Sequence, residues 1–263
     1  MERRPNLDDL TNIEIIDRYR LDRDGIDYVE NILSRQITPK AYRNHAISAR
    51  HKLLITLRFP KVMGLIDGTH IRIRAPSEDE YMYVNRKQFH SVNVQVVVDG
   101  EDKIIDIVAR WPGSVHGARI LRESGLSQLL DNGFGGHEQF HLLGDSGYPS
   151  TRWLLTPYLN PQGLAQEAYN RSHKTTRSRV EKAIGQLKRR FGVLHTEIAL
   201  SPEKACKVVI ACAVLHNLCK ARGIPFADNQ DDDNGNNNNG DPRPQDQMPG
   251  LRYRDYFAAT YFR

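Results

Sequence analysis

Apolar residues in the first part of the chain recur every three or four positions. The recurring residues are Leu10, Ile13 and Ile16, followed by Ile26, Val29 and Ile32. This spacing is typical of amphipathic helices, and the adjacent residues Asp24 and Gly25 indicate a break between two of them. Residues 1–59 are therefore predicted to form a helical N-terminal segment.

The period changes from helical to alternating near residue 62. Apolar and polar positions alternate over residues 63–73, and residues 91–98 alternate before becoming continuously apolar. A third apolar stretch, residues 103–110, follows the turn residues Asp99 and Gly100. Such runs are typical of strands, and the short links between them predict an antiparallel meander.

Helical spacing returns after the meander. A helix is predicted over residues 116–130, and a short strand over 140–143 follows a glycine-rich loop. Two longer helices are predicted over 162–192 and 202–221, the first with an apolar stripe that faces the core. The residues of that stripe are Val180, Ile184, Leu187 and Phe191.

The C-terminal part of the chain differs in composition. Residues 231–244 contain only Asp, Asn, Gly, Pro and Arg, so they have no apolar side chain to bury and are predicted to be disordered. An aromatic tail from Tyr253 to Phe262 follows, with no local sign of where it packs. The predicted division is a helical segment over 1–59, a main domain over 60–222, and the acidic tract with its tail over 223–263.

Composition narrows the class of protein. The 263 residues are 39% apolar, which supports a soluble globular domain with a core. The longest apolar run, residues 208–215, is far shorter than the roughly 20 residues of a membrane-spanning helix. The cysteines are Cys206, Cys212 and Cys219, an odd number without zinc-site spacing, which favours a reducing intracellular compartment.

The net charge is only +5, but the charged residues are distributed unevenly along the chain. Residues 171–192 contain eight Lys or Arg residues and a single acid, Glu181. Glu181 is expected to be buried. A cluster of this kind favours a polyanionic partner such as DNA, because phosphates attract clustered Lys and Arg. The alternative is a solvated helix face.

Three acids have unusual local settings. Asp67 interrupts an apolar strand, where aspartate is disfavoured, unless it is an exposed acid at a bulge. Asp145 follows directly on a short strand, where open α/β sheets place ligands, or else it belongs to an ordinary turn. Glu181 lies next to the apolar stripe of a basic helix, unless it is paired with a nearby lysine. Together the three supply the hard oxygen ligands that Mg²⁺ or Mn²⁺ would need to cut a phosphodiester.

Five motifs occur in an order that closely resembles the PIF/Harbinger transposase superfamily of DDE transposases. They are Gly64-Leu-Ile-Asp-Gly-Thr-His70, Arg110-Trp-Pro-Gly-Ser-Val-His116, Gly144-Asp-Ser-Gly-Tyr-Pro149, Arg179-Val-Glu-Lys-Ala-Ile-Gly-Gln-Leu-Lys-Arg-Arg-Phe191 and Leu215-His-Asn-Leu218. The resemblance implies an α/β, RNase H-like mixed sheet flanked by helices. It also implies that Asp67 and Asp145 lie on or after strands, that Glu181 lies on a later helix, and that these three are the catalytic, metal-binding residues of a nuclease.

Two departures from the family pattern affect this interpretation. The family usually has an aspartate after the Trp-Pro-Gly-Ser-x-His motif, counted among its metal-associated acids, and this chain has Gly117 there. The residues 53–59 also run directly into Pro60, where the family has a longer helical region with a helix-turn-helix, which indicates an internal deletion.

The sequence therefore predicts a transposase-derived nuclease that binds divalent metal and hydrolyses DNA. The basic helix would contact the DNA backbone through Arg177, Lys182, Lys188 and Arg189. The alternative is a domesticated DNA- or protein-binding module with little or no catalytic activity. The resemblance implies a Myb/SANT-like DNA-binding partner and a nuclear location, with cytoplasm in addition; no membrane partner is expected, and the oligomeric state is left open.

Overall fold

A computed structural model describes residues 10–19, 22–37, 59–133, 140–224 and 245–262. The chain divides into two compact units, residues 1–61 and 62–263. The helical stretch before Pro60, the glycine-rich loop after residue 133 and the Asp/Asn-rich tract lie largely or wholly outside the described residues.

The first unit contains two described helices, α1 (Asn12–Tyr19) and α2 (Arg23–Ile37). The predicted break at Asp24 and Gly25 is wrong, because both residues lie inside α2. The helix begins at Arg23, and the carboxylate of Asp22 accepts a hydrogen bond from the Gly25 backbone N–H at 2.8 Å, which is the geometry of an N-terminal cap.

Burial in this unit follows the apolar spacing only in part: Leu10 and Ile26 of that spacing are buried, and so is Ile15, which lies outside it. Ile15 and Ile26 are fully buried, whereas Ile13 is 77% exposed and Ile32 is 58% exposed. The helical period was correctly read, but the spacing did not identify the buried face, because both faces of these short helices carry aliphatic residues.

The second unit is built on a five-stranded mixed sheet with the order β3-β2-β1-β4-β5. The strands are β1 (Val62–Arg72), β2 (Ser91–Val98), β3 (Ile104–Pro112), β4 (His141–Leu143) and β5 (Leu154–Leu155). Strands β1, β2 and β3 form the predicted antiparallel meander, while β4 pairs with β1 in parallel and β5 with β4 in parallel. The predicted α/β class, with a mixed sheet flanked by helices, is confirmed.

Both faces of the central strands are covered. Every residue of β2 is buried, which explains its continuous apolar run. One face packs against α4 (Gly117–Arg122) and α5 (Gly125–Asp131), in a cluster that includes Ile66, Leu121 and Leu142. The single helix predicted over 116–130 is two helices, because the Ser124 hydroxyl accepts a hydrogen bond from the Ser127 N–H and starts a second one.

The opposite face packs against the long helix α6 (Gly163–Arg190), and α7 (Pro202–Ala221) covers β3. Both helices lie where the sequence predicts them. Val180, Ile184 and Leu187 of the predicted stripe are buried. A one-turn helix, α3 (Glu80–Tyr83), precedes β2. None of the described helices is both long and apolar enough to span a membrane.

The aromatic tail forms α8 (Met248–Tyr261), which packs against α6 and β5. Phe257 and Phe262 are almost fully buried, and the Tyr158 hydroxyl donates to the Asp255 carboxylate at 2.8 Å. The tail therefore completes the core of the second unit, although no local pattern indicated its position.

Candidate active site

Strand register places Asp67 and Asp145 side by side. Leu65 of β1 is paired with Leu143 of the parallel strand β4. Asp67 lies two residues further along β1, and Asp145 lies two residues further along the chain, just after β4 ends, so the two acids lie at the same level of the sheet. The sheet thus brings together two of the three predicted acids, which are 1% and 8% exposed.

Burial dominates the electrostatics of Asp67. Its Oδ1 accepts the Gly68 N–H at 2.9 Å and its Oδ2 accepts a guanidinium N–H of Arg177 at 3.0 Å. Desolvation nevertheless raises the pKa of Asp67 to about 7, with smaller contributions from the charges of Asp145 and Glu181, and Arg177 opposes the rise. The alternative of an exposed acid at a bulge is excluded by this burial.

Arg177 connects the third acid to the first. The same guanidinium that binds Asp67 donates to Glu181 Oε1 at 2.7 Å, four residues further along α6. The side chain of Glu181 is 47% exposed, so the expectation that it is buried is wrong. Its partner is an arginine one turn earlier rather than a nearby lysine, and one cation therefore spans Asp67 and Glu181.

Asp145 is held by the turn that follows β4. Its Oδ1 accepts the Gly147 N–H at 3.0 Å, so the carboxylate is part of a local turn and is also buried against the sheet. The ring of Tyr148 lies over Gly144, where an added Cβ would approach the ring carbon Cδ2 to 3.1 Å. The close approach at Gly144 thus brings Tyr148 near the acids. Tyr148 is a residue that the sequence did not single out.

Gly117 is the first residue of α4 and faces the ring of Tyr148. A Cβ added there would lie 3.3 Å from the Tyr148 hydroxyl oxygen, and the charges of Asp67 and Asp145 both act on that hydroxyl. The position at which the family has a further aspartate therefore faces the Tyr148 hydroxyl, on which the charges of both acids act.

The donor set can be compared with what a divalent cation requires. Among the described residues, no group of three or more His, Cys, Asp or Glu side chains is arranged to hold a metal ion. Asp67 and Asp145 supply hard oxygen donors from neighbouring strands, and the acids already hold one cationic group, the guanidinium of Arg177. The residue types fit Mg²⁺ or Mn²⁺, provided that Arg177 gives up its contact with Asp67.

The predicted DNA-binding residues differ in their surroundings. Arg177 is largely buried in the acidic site, and Lys182 is exposed. The Lys188 ammonium donates to the His70 carbonyl oxygen at 3.2 Å, and Arg189 is half-buried.

Burial lowers the pKa of His70 to about 4, and its Nδ1 lies 3.0 Å from the Ser91 hydroxyl. His70 is therefore neutral at physiological pH.

Replacing Asp67 with asparagine is expected to change how stability depends on pH. Because the folded-state pKa is raised from 3.8 to about 7, the native protein holds a proton that the unfolded chain has lost between these values. The stability of the native chain should therefore fall relative to Asp67→Asn as pH rises from 4 to 7, by a total of about 4 kcal/mol.

Comparing the native chain with Asp67→Asn separates the effect of Asp67 on stability from that of histidines whose titration has the opposite effect. Burial lowers the pKa values of His70, His173 and His216 to about 4, and these histidines make both proteins less stable as pH falls below 6.5. Urea unfolding of the two proteins in EDTA, at intervals from pH 4.5 to 8, measures the difference. Parallel stability curves would show that Asp67 has an ordinary pKa.

The mixed sheet holds one acid within its central strand and a second just after the neighbouring parallel strand, and a basic helix brings a third acid to them. This is the arrangement that the resemblance to RNase H-like nucleases and transposases implies. Residues 66–217 match the family model described as DDE superfamily endonuclease. This match covers more than half of the chain, and the chain belongs to that family, which confirms the resemblance to harbinger-derived DDE proteins.

Relatives are found in animals, plants and bacteria. The chain is 37% identical over 168 residues to "Putative nuclease HARBI1" of Homo sapiens, covering 63% of this chain and 48% of that protein. It is 26% identical over 206 residues to "Protein ALP1-like" of Arabidopsis thaliana, covering 73% and 51%. It is 27% identical over 169 residues to "Putative transposase for insertion sequence element IS112" of Streptomyces albus G, covering 61% and 60%.

The chain spans about half the length of the human and plant relatives that it matches. No solved structure matches it.

Proposed function

We propose that this chain is a divalent-metal-dependent nuclease that hydrolyses DNA phosphodiester bonds at Asp67, Asp145 and Glu181. The observation that carries the proposal is the pair of buried acids, Asp67 within β1 and Asp145 just after the adjacent strand β4, with one guanidinium joining Asp67 to Glu181. A buried carboxylate with a raised pKa, such as Asp67, is costly to keep and is typical of a functional site.

The residues have distinct roles in this proposal. When bound, Mg²⁺ or Mn²⁺ supplies Lewis acidity to the phosphate and activates water. Asp67 and Asp145 would hold the cation from the sheet, and Glu181 would complete its ligands from α6 once the Arg177 guanidinium no longer occupies it. Arg177, Lys182, Lys188 and Arg189 then hold the DNA backbone, without reading its sequence.

Release of Arg177 from Asp67 would couple metal binding by the acids to DNA binding by Arg177. In the described conformation, the guanidinium neutralises the acids that a metal ion would otherwise neutralise. The same guanidinium is attracted to phosphate and can bind it through two N–H groups. We therefore expect metal to bind the acids and DNA to bind Arg177 in the same step.

Plasmid nicking tests the proposed activity. The native chain should convert supercoiled plasmid to open circles with Mg²⁺ or Mn²⁺, and not with EDTA. Calorimetry should detect Mn²⁺ binding to the native chain and much weaker binding to Glu181→Gln. Metal binding without nicking would restrict the function to that of a metal-binding protein.

A second candidate function is a DNA-binding module without catalysis. It is supported by Gly117, which leaves out one carboxylate, and by Arg177, which lies between Asp67 and Glu181. In that case Mn²⁺ would not bind, and DNA affinity would fall steeply with salt because the basic helix alone would supply it.

Gly117→Asp is expected to strengthen Mn²⁺ binding by about tenfold, because a further carboxylate would face the site. The added Cβ would lie 3.3 Å from the Tyr148 hydroxyl, so the ring must shift by a few tenths of an ångström at most. The matched control is Gly125→Asp, since Gly125 is also the first residue of a short helix and has open space around it. Equal Mn²⁺ affinity of the two variants would contradict the expectation.

We further propose that the substrate is DNA, that the chain acts in the nucleus and cytoplasm, and that a Myb/SANT-like protein supplies sequence recognition. The basic residues of α6 and the family membership support these proposals. Addition of such a partner should increase nicking at its binding sites and leave nicking elsewhere unchanged.

A further inference from the structure

The Tyr148 hydroxyl differs from those of the other buried tyrosines. The Tyr169 hydroxyl donates to the Thr156 carbonyl at 3.0 Å, and that of Tyr158 donates to Asp255 at 2.8 Å. Tyr148 is 3% exposed, and its hydroxyl has no hydrogen-bond partner among the residues that the structure describes. A buried hydroxyl without a partner is destabilising and is rare in folded proteins.

The position of this hydroxyl is fixed by packing. The ring belongs to the core cluster with Ile66 and Leu154, and the absence of a side chain at Gly144 lets it lie against the strand ends. At the far end of the ring, the hydroxyl oxygen lies 3.3 Å from a Cβ built on Gly117 and 4.0 Å from one built on Gly68, the residue after Asp67. It is thus directed to the edge of the acidic site.

Burial keeps the Tyr148 hydroxyl protonated. Burial raises the pKa of Tyr148 well above its ordinary value, and the carboxylates of Asp67 and Asp145 raise it further. The group is therefore a hydrogen-bond donor at all physiological pH values. A donor beside two buried acids is suited to an acceptor oxygen that enters this site.

We propose that the Tyr148 hydroxyl donates a hydrogen bond to an oxygen atom of the ligand at the acidic site, either a water that enters with the divalent cation or a DNA phosphate oxygen. This inference rests on the proposed nuclease function and adds a ligand-contacting residue to it. The competing interpretation is that the hydroxyl lacks a partner only because Gly117 replaces an aspartate.

Tyr148→Phe is the direct test, because it removes one oxygen atom and keeps the ring. Tyr169→Phe is the matched control, since it removes a hydroxyl that has a partner within the fold. Without metal, Tyr148→Phe should have a melting temperature equal to or above that of the native chain, while Tyr169→Phe should melt lower. A fall for Tyr148→Phe as large as that of the control would show that the hydroxyl is paired inside the protein, and would overturn the proposal.

The ligand is identified by two measurements on the same proteins. A fall of about five- to tenfold in Mn²⁺ affinity, measured by calorimetry without DNA, indicates a bond to water that enters with the cation. Unchanged Mn²⁺ affinity with a similar fall in the single-turnover nicking rate at saturating Mn²⁺ indicates a bond to phosphate. Tyr169→Phe should leave both quantities unchanged.

Failure of the Tyr148 proposal can be distinguished from failure of the nuclease proposal. If the native chain and Tyr148→Phe bind Mn²⁺ and nick DNA equally well, the Tyr148 proposal is wrong and the nuclease proposal stands. If the native chain neither binds Mn²⁺ nor nicks DNA, the nuclease proposal fails and the Tyr148 proposal fails with it. A gain in stability for Gly117→Asp that is lost in Gly117→Asp with Tyr148→Phe would support the competing interpretation.

Discussion

Asp67→Ala is expected to lower the metal-dependent nicking rate by on the order of 10³-fold, because the cation contributes several kcal/mol to stabilising the transition state. Asp67 has the largest expected effect of the three acids because it is buried on the central strand and contacts Arg177 directly. The measurement is the rate of open-circle formation at saturating Mn²⁺, with the same preparations checked for folding by circular dichroism.

A matched control is available on another strand. Asp106 is a half-buried aspartate of β3, two strands away from Asp67, and burial raises its pKa as well. Asp106→Ala removes the same group from the same kind of element, and nicking should be unchanged. Equal rates for the native chain and Asp67→Ala would refute the assignment of the site.

Arg177→Met is expected to destabilise the metal-free protein by about 3 kcal/mol at pH 8, because it leaves the buried Asp67 carboxylate without its counter-charge. For a chain of this size the melting temperature should fall by roughly 10 °C. The loss should be smaller at pH 5, since Asp67, whose pKa is raised to about 7, then takes up a proton instead. Thermal unfolding in EDTA at the two pH values measures both effects.

The same variant should bind Mn²⁺ about tenfold more tightly, because the cation no longer competes with a guanidinium for Asp67. Arg179→Met is the control: Arg179 lies on the same helix and is paired with Asp102 at 2.8 Å, with side chains 13% and 17% exposed. It should be destabilised without any change in Mn²⁺ affinity. If Arg177→Met binds Mn²⁺ no better than the native chain, Arg177 does not compete with the metal.

The regular elements of the second unit were largely predictable from local pattern. Strands β1 to β4 and helices α6 and α7 lie within a few residues of their predicted bounds, because each has a period that its own residues define. Strand β5 consists of Leu154 and Leu155 alone, which is too short to show any period. The split between α4 and α5 depends on one capping hydrogen bond of Ser124.

The acids of the candidate site were recognisable in the sequence one by one, and their spatial arrangement was not. Asp67 was recognisable because aspartate is disfavoured in an apolar strand, and the sheet places it beside Asp145. The exposure of Glu181 was not recognisable from the sequence, since a residue one position from an apolar stripe lies at the boundary between core and solvent. Arg177 was grouped with the DNA-binding residues, and its contact with Asp67 joins positions 110 residues apart.

The sequence by itself determined the elements, the family motifs and the three acids, because each of these is specified by residues that are close along the chain. Only the tertiary structure decided that Arg177 lies between Asp67 and Glu181, that the Tyr148 hydroxyl reaches the position next to Gly117, and that α8 closes the core against α6. These contacts depend on sheet register and on helix packing, which arise from the burial of many side chains at once and leave no signal in any short stretch of sequence.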